Sequence, residues 1–264
     1  MTLNFSALSK VLLLTIMVIP SLFLPAIAAP PLEKAPIKIG ISTSFPPFNY
    51  KDTNGNVQGY NADVARAICE KMQVSCEFSP MPFPEIISAL EQGLVQFAPS
   101  NFLWTQERAK RINFSDKYYR STTSLVGLSK DSFEDPMALL QQHDATIAAA
   151  HSSAQWHYLR LHSTAKVVSV DTIADGMTQL QKGDVDYILL PTLFALNFLQ
   201  RPENTHLDFI GEPIGAESLT GDVHIGISKT QPELKDKIDK AIQSLVSSGE
   251  LRVLILKYFP FNVY

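Results

Sequence analysis

The sequence predicts an α/β fold with mostly parallel sheets, and three observations carry that expectation. Short apolar runs of strand character alternate with helix-like segments from residue 37 to the end of the chain. Breakers and caps punctuate the alternation, as at Gly93, Asp135-Pro136 and Pro191. No repeat of solenoid length and no low-complexity linker interrupts it. Strands separated by helical crossovers pair in parallel.

The elements follow in order. Ile37, Ile39 and Ile41 alternate with Lys38 and Gly40 in a first strand that stops at residues 42–47, Ser-Thr-Ser-Phe-Pro-Pro. Asn54-Gly55 is a turn, and a helix is expected through residues 63–72. Residues 74–79 read as a strand, 84–92 as a helix closed by Gly93, and 94–98 as a strand. In the second half, Asp135-Pro136 opens a helix, 145–150 is an apolar strand, and His151-Ser152-Ser153 opens the helix that bears Trp156. Residues 166–170, 172–182 and 185–190 read as strand, helix and strand, the last ended by Pro191. Residues 232–246 and 249–258 are closing helices.

The first 28 residues read as an export signal. Lys10 precedes an apolar run over residues 11–24, and Ala26 and Ala28 form a small-residue cleavage site. No cysteine stands at that site, so a lipid-anchored form is not expected. Cleavage after Ala28 removes one lysine and no acid, which takes the formal charge from −4 to −5. That balance argues against nucleic acid and anionic membranes as partners. About 236 residues remain, enough for one large core or two modest ones. In an oxidising compartment Cys69 and Cys76 are most simply a disulfide, which over so short a loop stabilises by roughly 2.5 kcal/mol.

In sheets of this kind ligands bind beyond the carboxyl ends of the strands. The segments there are 42–45, 100–103, 151–153 and 191–192, which carry hydroxyls, an amide, an imidazole and aromatics. Such chemistry suits a small-molecule cleft. No phosphate loop, dinucleotide fingerprint, G-x-S-x-G or H-E-x-x-H is present. His151, His157 and His162 are spaced onto different helix faces, so no metal site is expected. Asp184 and Asp186 read as turn residues, and no catalytic group stands out. Thr105 is placed to cap a short helix with Arg108 in its first turn, where a cation opposes the helix dipole. A charge set against its local preference points to an anion anchor.

A family resemblance rests on Tyr50-Lys51-Asp52, Gly55, residues 59–63 (Gly-Tyr-Asn-Ala-Asp) and the Cys69 to Cys76 pair. Thr105-Gln106-Glu107-Arg108, Phe114-Ser115-Asp116-Lys117 and residues 257–264 (Lys-Tyr-Phe-Pro-Phe-Asn-Val-Tyr) complete it. On these motifs the chain resembles the periplasmic solute-binding proteins of polar amino-acid ABC transporters, family 3, especially the lysine, arginine, ornithine and histidine receptors. The resemblance implies two α/β lobes closing on a ligand by hinge motion. Residues 29–121 with 224–264 would form lobe 1, residues 125–219 lobe 2, and the hinge would lie near 121–124 and 220–223. It implies that Arg108 pairs with a ligand carboxylate, flanked by Ser100 and Asn101. Phe45 and Phe83 would sandwich the ligand side chain, and Ser152 and Ser153 would donate from a helix start.

The departures from the family pattern shape the ligand. Leu103 replaces a hydroxyl, His151 a glycine, and Pro191 the aspartate that holds the α-ammonium. Ser42 and Asn61 stand where carboxylates select lysine and arginine side chains. The expected ligand is therefore a small carboxylate, an amino acid or a relative, other than lysine or arginine. The protein is expected to act without a cofactor, as a periplasmic monomer serving an inner-membrane ABC transporter permease. Rival readings are a cyclohexadienyl-dehydratase-like enzyme, which needs a general acid in the cleft, and a ligand-binding partner of a membrane sensor.

Overall fold

The computed structural model describes Met1 and residues 35–264, so the expected export signal at residues 1–28 lies outside the described residues apart from Met1. The first half runs β1 (Ile37–Ile41), β2 (Ser44–Phe45), β3 (Asn49–Lys51), β4 (Val57–Gln58), α1 (Tyr60–Met72), β5 (Cys76–Pro80), α2 (Phe83–Glu91), β6 (Phe97–Leu103), α3 (Gln106–Arg111) and β7 (Asn113–Ser121). Then come β8 (Thr123–Leu128), α4 (Pro136–Leu139), β9 (Thr146–Ala150), α5 (Ala154–His162), β10 (Lys166–Val170), α6 (Ile173–Lys182), β11 (Tyr187–Pro191), α7 (Thr192–Leu199) and β12 (Leu207–Ile214). The chain ends with β13 (Gly221–Ile227), α8 (Glu233–Ser247) and α9 (Glu250–Tyr258). No helix among the described residues is long and apolar enough to cross a membrane.

Two sheets organise the molecule, ordered β5-β1-β6-β13-β7 and β10-β9-β11-β8-β12, with β2-β3-β4 as a small antiparallel sheet beside them. In each five-stranded sheet four strands point the same way and one, β13 or β8, runs against them. The reversed strand is the one that has just arrived from the other sheet. The chain leaves the first sheet between Ser121 and Thr123 and returns between Ile214 and Gly221. Gly221, Asp222 and Val223, expected in a crossover, are already paired with β7.

Both faces of both sheets are covered, which is why their strands read as nearly continuous apolar runs. In the first lobe Ile68, Ile238 and Ile255 of α1, α8 and α9 pack on one face, and Ile86 and Leu90 of α2 pack on the other. In the second, Ile147 and Leu189 face α4 and α5, while Ala148 and Ile188 face α6 and α7. Cys69 and Cys76 form the expected disulfide, which ties α1 to β5. β7, β8, β12, α7 and the small sheet were not anticipated from the sequence. β7 mixes Asn113, Asp116, Lys117 and Arg120 into its strand, and the short apolar stretch of α7 has no decisive period.

α1 is clamped to α9 through Asp63, whose Oδ2 accepts from Lys257 Nζ and from the Tyr258 hydroxyl, each at 2.6 Å. Burial raises the pKa of this carboxyl, but the hydrogen bonds from Lys257 and Tyr258 outweigh it and leave it below the usual value. A depressed carboxyl contributes stability above its unfolded pKa, near 3.9, and loses it as the pH falls through the lower folded value. Asp63→Asn is expected to lower the unfolding free energy by about 1 kcal/mol at neutral pH, given the exposure of Lys257. The gap from wild type should close in acid, and urea denaturation at neutral pH and at about pH 3 checks both halves of this expectation.

Candidate functional site

A cavity of about 610 Å³ lies between the two lobes, at the carboxyl ends of β1, β6, β9, β10 and β11. Of the residues expected there from the sequence, Ser42, Phe45, Phe83, Ser100, Asn101, Leu103, Arg108, His151, Ser153 and Pro191 line it. Asn61 and Ser152 do not, and both stand directly behind its wall.

The expectation that Ser100 and Asn101 follow a strand ending at residue 98 is corrected: β6 continues to Leu103. β13 holds this extension, pairing Val223 with Leu103 and His224 with Phe102, and the register slips before the Gly226–Ala98 pair. The extra residues, Pro99, Ser100 and Asn101, bulge out of the ladder, and Asn101 adopts φ 59°. A bulge re-aims side chains, and here it turns Ser100 and Asn101 into the cavity. Pro99 and Asn101 are poor strand residues, which is why the sequence reads as a loop.

Asn101 is held from behind. Its Oδ1 accepts from Asn61 Nδ2 at 3.0 Å and from the Tyr119 hydroxyl at 2.9 Å, while the Tyr118 hydroxyl donates to Asn61 Oδ1 at 2.8 Å. Asn61 is thereby committed to fixing Asn101 rather than facing a ligand. Ser100, 2% exposed, keeps a buried hydroxyl without a hydrogen-bond partner among the described residues. Such a group carries a desolvation cost of about 1–3 kcal/mol until something meets it.

Arg108 enters as expected, in the first turn of α3, with its N–H capped by Thr105 Oγ1 at 3.2 Å. Arg108 is 8% exposed, and its guanidinium lies over the Phe102 ring and donates to the carbonyls of Leu103 at 3.1 Å and Ser152 at 3.2 Å. Leu103 thus contributes its backbone oxygen where the family pattern has a hydroxyl. Ser152 reaches across from the second lobe in a left-handed conformation, φ 61°, so its carbonyl rather than its hydroxyl is offered. Among the described residues no carboxylate lies within ion-pairing distance of Arg108. Burial pushes its pKa down to about 10, a direction that reports desolvation of a cation with no full counter-charge.

The second lobe supplies the start of α5. Ser153 Oγ caps it by accepting from Trp156 N–H at 3.1 Å, and Ala154 and Gln155, whose first-turn amides have no intrahelical acceptor, line the cavity. His151 packs against Trp156 with its ring tilted and shares a hydrogen bond with Ser152 Oγ. Phe83 packs on Phe102, whereas Phe45 stacks on Phe194 of α7 at 4.7 Å between ring centroids. Phe45 therefore bridges the lobes as well as lining the cavity. Tyr119, Ser121, Gln155, Asp171 and Thr172 also line it and were missed from the sequence. Asp171 and Thr172 follow β10, so the strand-end rule alone, applied to residue 170, would have found them.

The family model for bacterial extracellular solute-binding proteins, family 3, matches residues 37–261. The L-arginine-binding protein of Pseudomonas aeruginosa is 27% identical over 260 residues, covering 97% of this chain and 99% of its own. The lysine/arginine/ornithine-binding periplasmic protein of Escherichia coli K12 is 27% identical over 233 residues, covering 86% of this chain and 89% of its own. Among solved structures, an ancestral arginine-binding protein bound to arginine superposes with a TM-score of 0.77 at 27% identity, covering 86% of this chain and 99% of that one. A Streptococcus pneumoniae amino acid ABC transporter substrate-binding protein bound to L-arginine gives a TM-score of 0.77 at 26% identity, covering 86% of this chain and 96% of that one. With the family model spanning nearly all described residues and both lobes matching in three dimensions, the chain belongs to the bacterial extracellular solute-binding proteins, family 3.

Proposed function

We propose that this protein captures a small carboxylate, an amino acid or a close relative other than lysine or arginine, in the interlobe cavity and delivers it to an ABC transporter. The observation that carries this is Arg108, a buried cation on the cavity wall with no acidic partner among the described residues. A ligand carboxylate would complete it with two parallel charge-assisted hydrogen bonds, and Ser100, Asn101, Ser153 and the first amides of α5 stand ready to donate. Phe45, Phe83 and Leu103 offer apolar surface for the remainder of the ligand. The lobes would close by bending near residues 121–124 and 220–223, and release to an inner-membrane permease would follow reopening. Export to the periplasm and action as a monomer belong to the same reading.

Relatives of this chain are described as binding arginine, lysine or histidine, so the exclusion of cationic side chains rests on this cavity. Its wall holds one acidic residue, Asp171. Asn61 is consumed by Asn101 and Tyr118, and the Ser42 hydroxyl faces Asn49 Nδ2 at 3.4 Å. Lysine and arginine each carry two positive charges, and one wall acid leaves one of them without a carboxylate, at several kcal/mol if it is buried. Isothermal titration against amino acids and organic acids tests the proposal. At least one uncharged amino acid or organic carboxylate should bind roughly 100-fold tighter than lysine or arginine. Tight binding of either cation would overturn the exclusion, and turnover of prephenate or arogenate would overturn a purely binding role.

A further inference from the structure

We propose that Gln155 is a positioning residue that ties the cavity-facing end of α5 to both crossovers between the lobes, so that bending of the crossovers and closure of the cavity are one motion. This rests on the carboxylate-capture reading above and deepens it. Gln155 is the second residue of α5 and is 6% exposed. Its backbone N–H, in the first helical turn, has no acceptor within the helix and is left to the cavity that the residue lines. Its side chain is used elsewhere. Nε2 donates to Thr123 Oγ1 at 2.8 Å, and the Thr123 hydroxyl in turn donates to the Leu219 carbonyl at 2.8 Å. Thr123 and Leu219 are both fully buried. A hydroxyl has one proton and two lone pairs, so its donation to Leu219 leaves Thr123 free to accept from Gln155.

The three residues come from three separate parts of the chain. Thr123 opens β8 directly after the first crossover, and Leu219 stands two residues before β13, at the end of the second. Thr123 is paired with Pro191 and Ile214 in the second sheet, whereas Ser121 and Gly221 pair with each other in the first. Between these anchored ends lies one residue of each crossover, Thr122 and Thr220. The Thr123–Leu219 bond holds the two crossovers together on the second-lobe side, and Gln155 is bonded to the same hydroxyl. Rotation at Thr122 and Thr220 therefore carries the start of α5 with it. Without that link α5 could shift against the crossovers, and its first amides would meet a carboxylate held by Arg108 in poorer geometry. A binding site depends on the groups that brace it as well as on those that touch the ligand.

The test measures dissociation rates by stopped flow, using the tightest-binding member of a panel of common L-amino acids and small organic carboxylates. Thermal midpoints of the ligand-free proteins are recorded alongside. Gln155→Leu and Thr123→Val should each speed dissociation roughly 3- to 10-fold, the effect of one buried hydrogen bond. Thr123 does not line the cavity, so its effect cannot come from touching the ligand. The double variant should stay within about twofold of the stronger single variant, because both substitutions break one chain of bonds. Thr123→Ser, which keeps the hydroxyl, should restore the wild-type rate. Wild-type dissociation in both single variants, whatever their midpoints, overturns the coupling and leaves these bonds a structural role. Wild-type dissociation in one of them alone also overturns it; if that one is Thr123→Val, Gln155 acts by touching the ligand. Effects that multiply in the double variant, or a Thr123→Ser protein as fast as Thr123→Val, overturn it as well. A wild type that binds no member of the panel overturns carboxylate capture itself, and this role with it.

Discussion

Arg108→Ala is expected to weaken carboxylate binding by roughly 10- to 150-fold, the range set by one charge-assisted pair. The guanidinium is buried on Phe102 and among the described residues donates only to the carbonyls of Leu103 and Ser152, so a ligand carboxylate would add a full counter-charge that these residues do not supply. The same burial predicts an asymmetry between binding and folding. An isolated buried cation is costly, and removing it offsets much of the loss of two hydrogen bonds. Without ligand, the alanine variant should therefore melt within about 4 °C of wild type, near 1 kcal/mol for a chain of this size. What it should lose is the upward shift that ligand gives wild type. Arg108→Lys should recover only part of the affinity, because an ammonium keeps the charge and lacks the planar fork. Isothermal titration and thermal denaturation with and without ligand check all three expectations. Undiminished binding by the alanine variant would remove the central residue of the proposed site.

Gly59→Ala is expected to destabilise the fold by about 3–5 kcal/mol, among the larger effects of a single methyl group. Gly59 precedes α1 at φ 114° and ψ 174°, a region that side-chain-bearing residues avoid. A Cβ there would stand 2.3 Å from the Phe48 carbonyl oxygen and 2.6 Å from its carbon. Relief requires moving either α1 or the 47–48 segment, yet the N–H groups of Tyr60 and Asn61 donate to the carbonyls of Pro47 and Phe48 at 3.0 Å each. Phe48 is fully buried against Tyr119, Phe259 and Phe45, so neither side yields cheaply. The thermal midpoint should fall by about 10 °C. The site should feel the shift too, since Asn61 two residues on positions Asn101. A midpoint within about 2 °C of wild type would show that the 47–48 segment accommodates the methyl group.

Local chemistry was legible where a signal was local. The Thr105 cap and the orientation of Arg108 follow from one turn of helix, and the Cys69–Cys76 bridge needs only a short loop. β9, β10 and α6 announced themselves because each is long enough for its period to show. Where an element's identity depends on its neighbours, the sequence fell silent. β6 runs through Pro99 and Asn101 only because β13 pairs with both ends of the bulge. α7 is a helix because its apolar surface closes one face of the second sheet. Asn61 reads in the sequence as a ligand contact, but Asn101 and Tyr118 take up its side-chain amide.

By itself the sequence determined that this is an alternating α/β chain with one short disulfide loop and a cation in a first helical turn, because propensity, capping and hydrophobic period act over a few residues. Only the tertiary structure decided which polar groups face the cavity. It set the Ser100 hydroxyl into the wall with no partner among the described residues, took Asn61 out of it, and left Asp171 as the lone acid there. Those outcomes depend on strand register and on contacts between residues about 40 or more apart in the chain, where no local preference reaches.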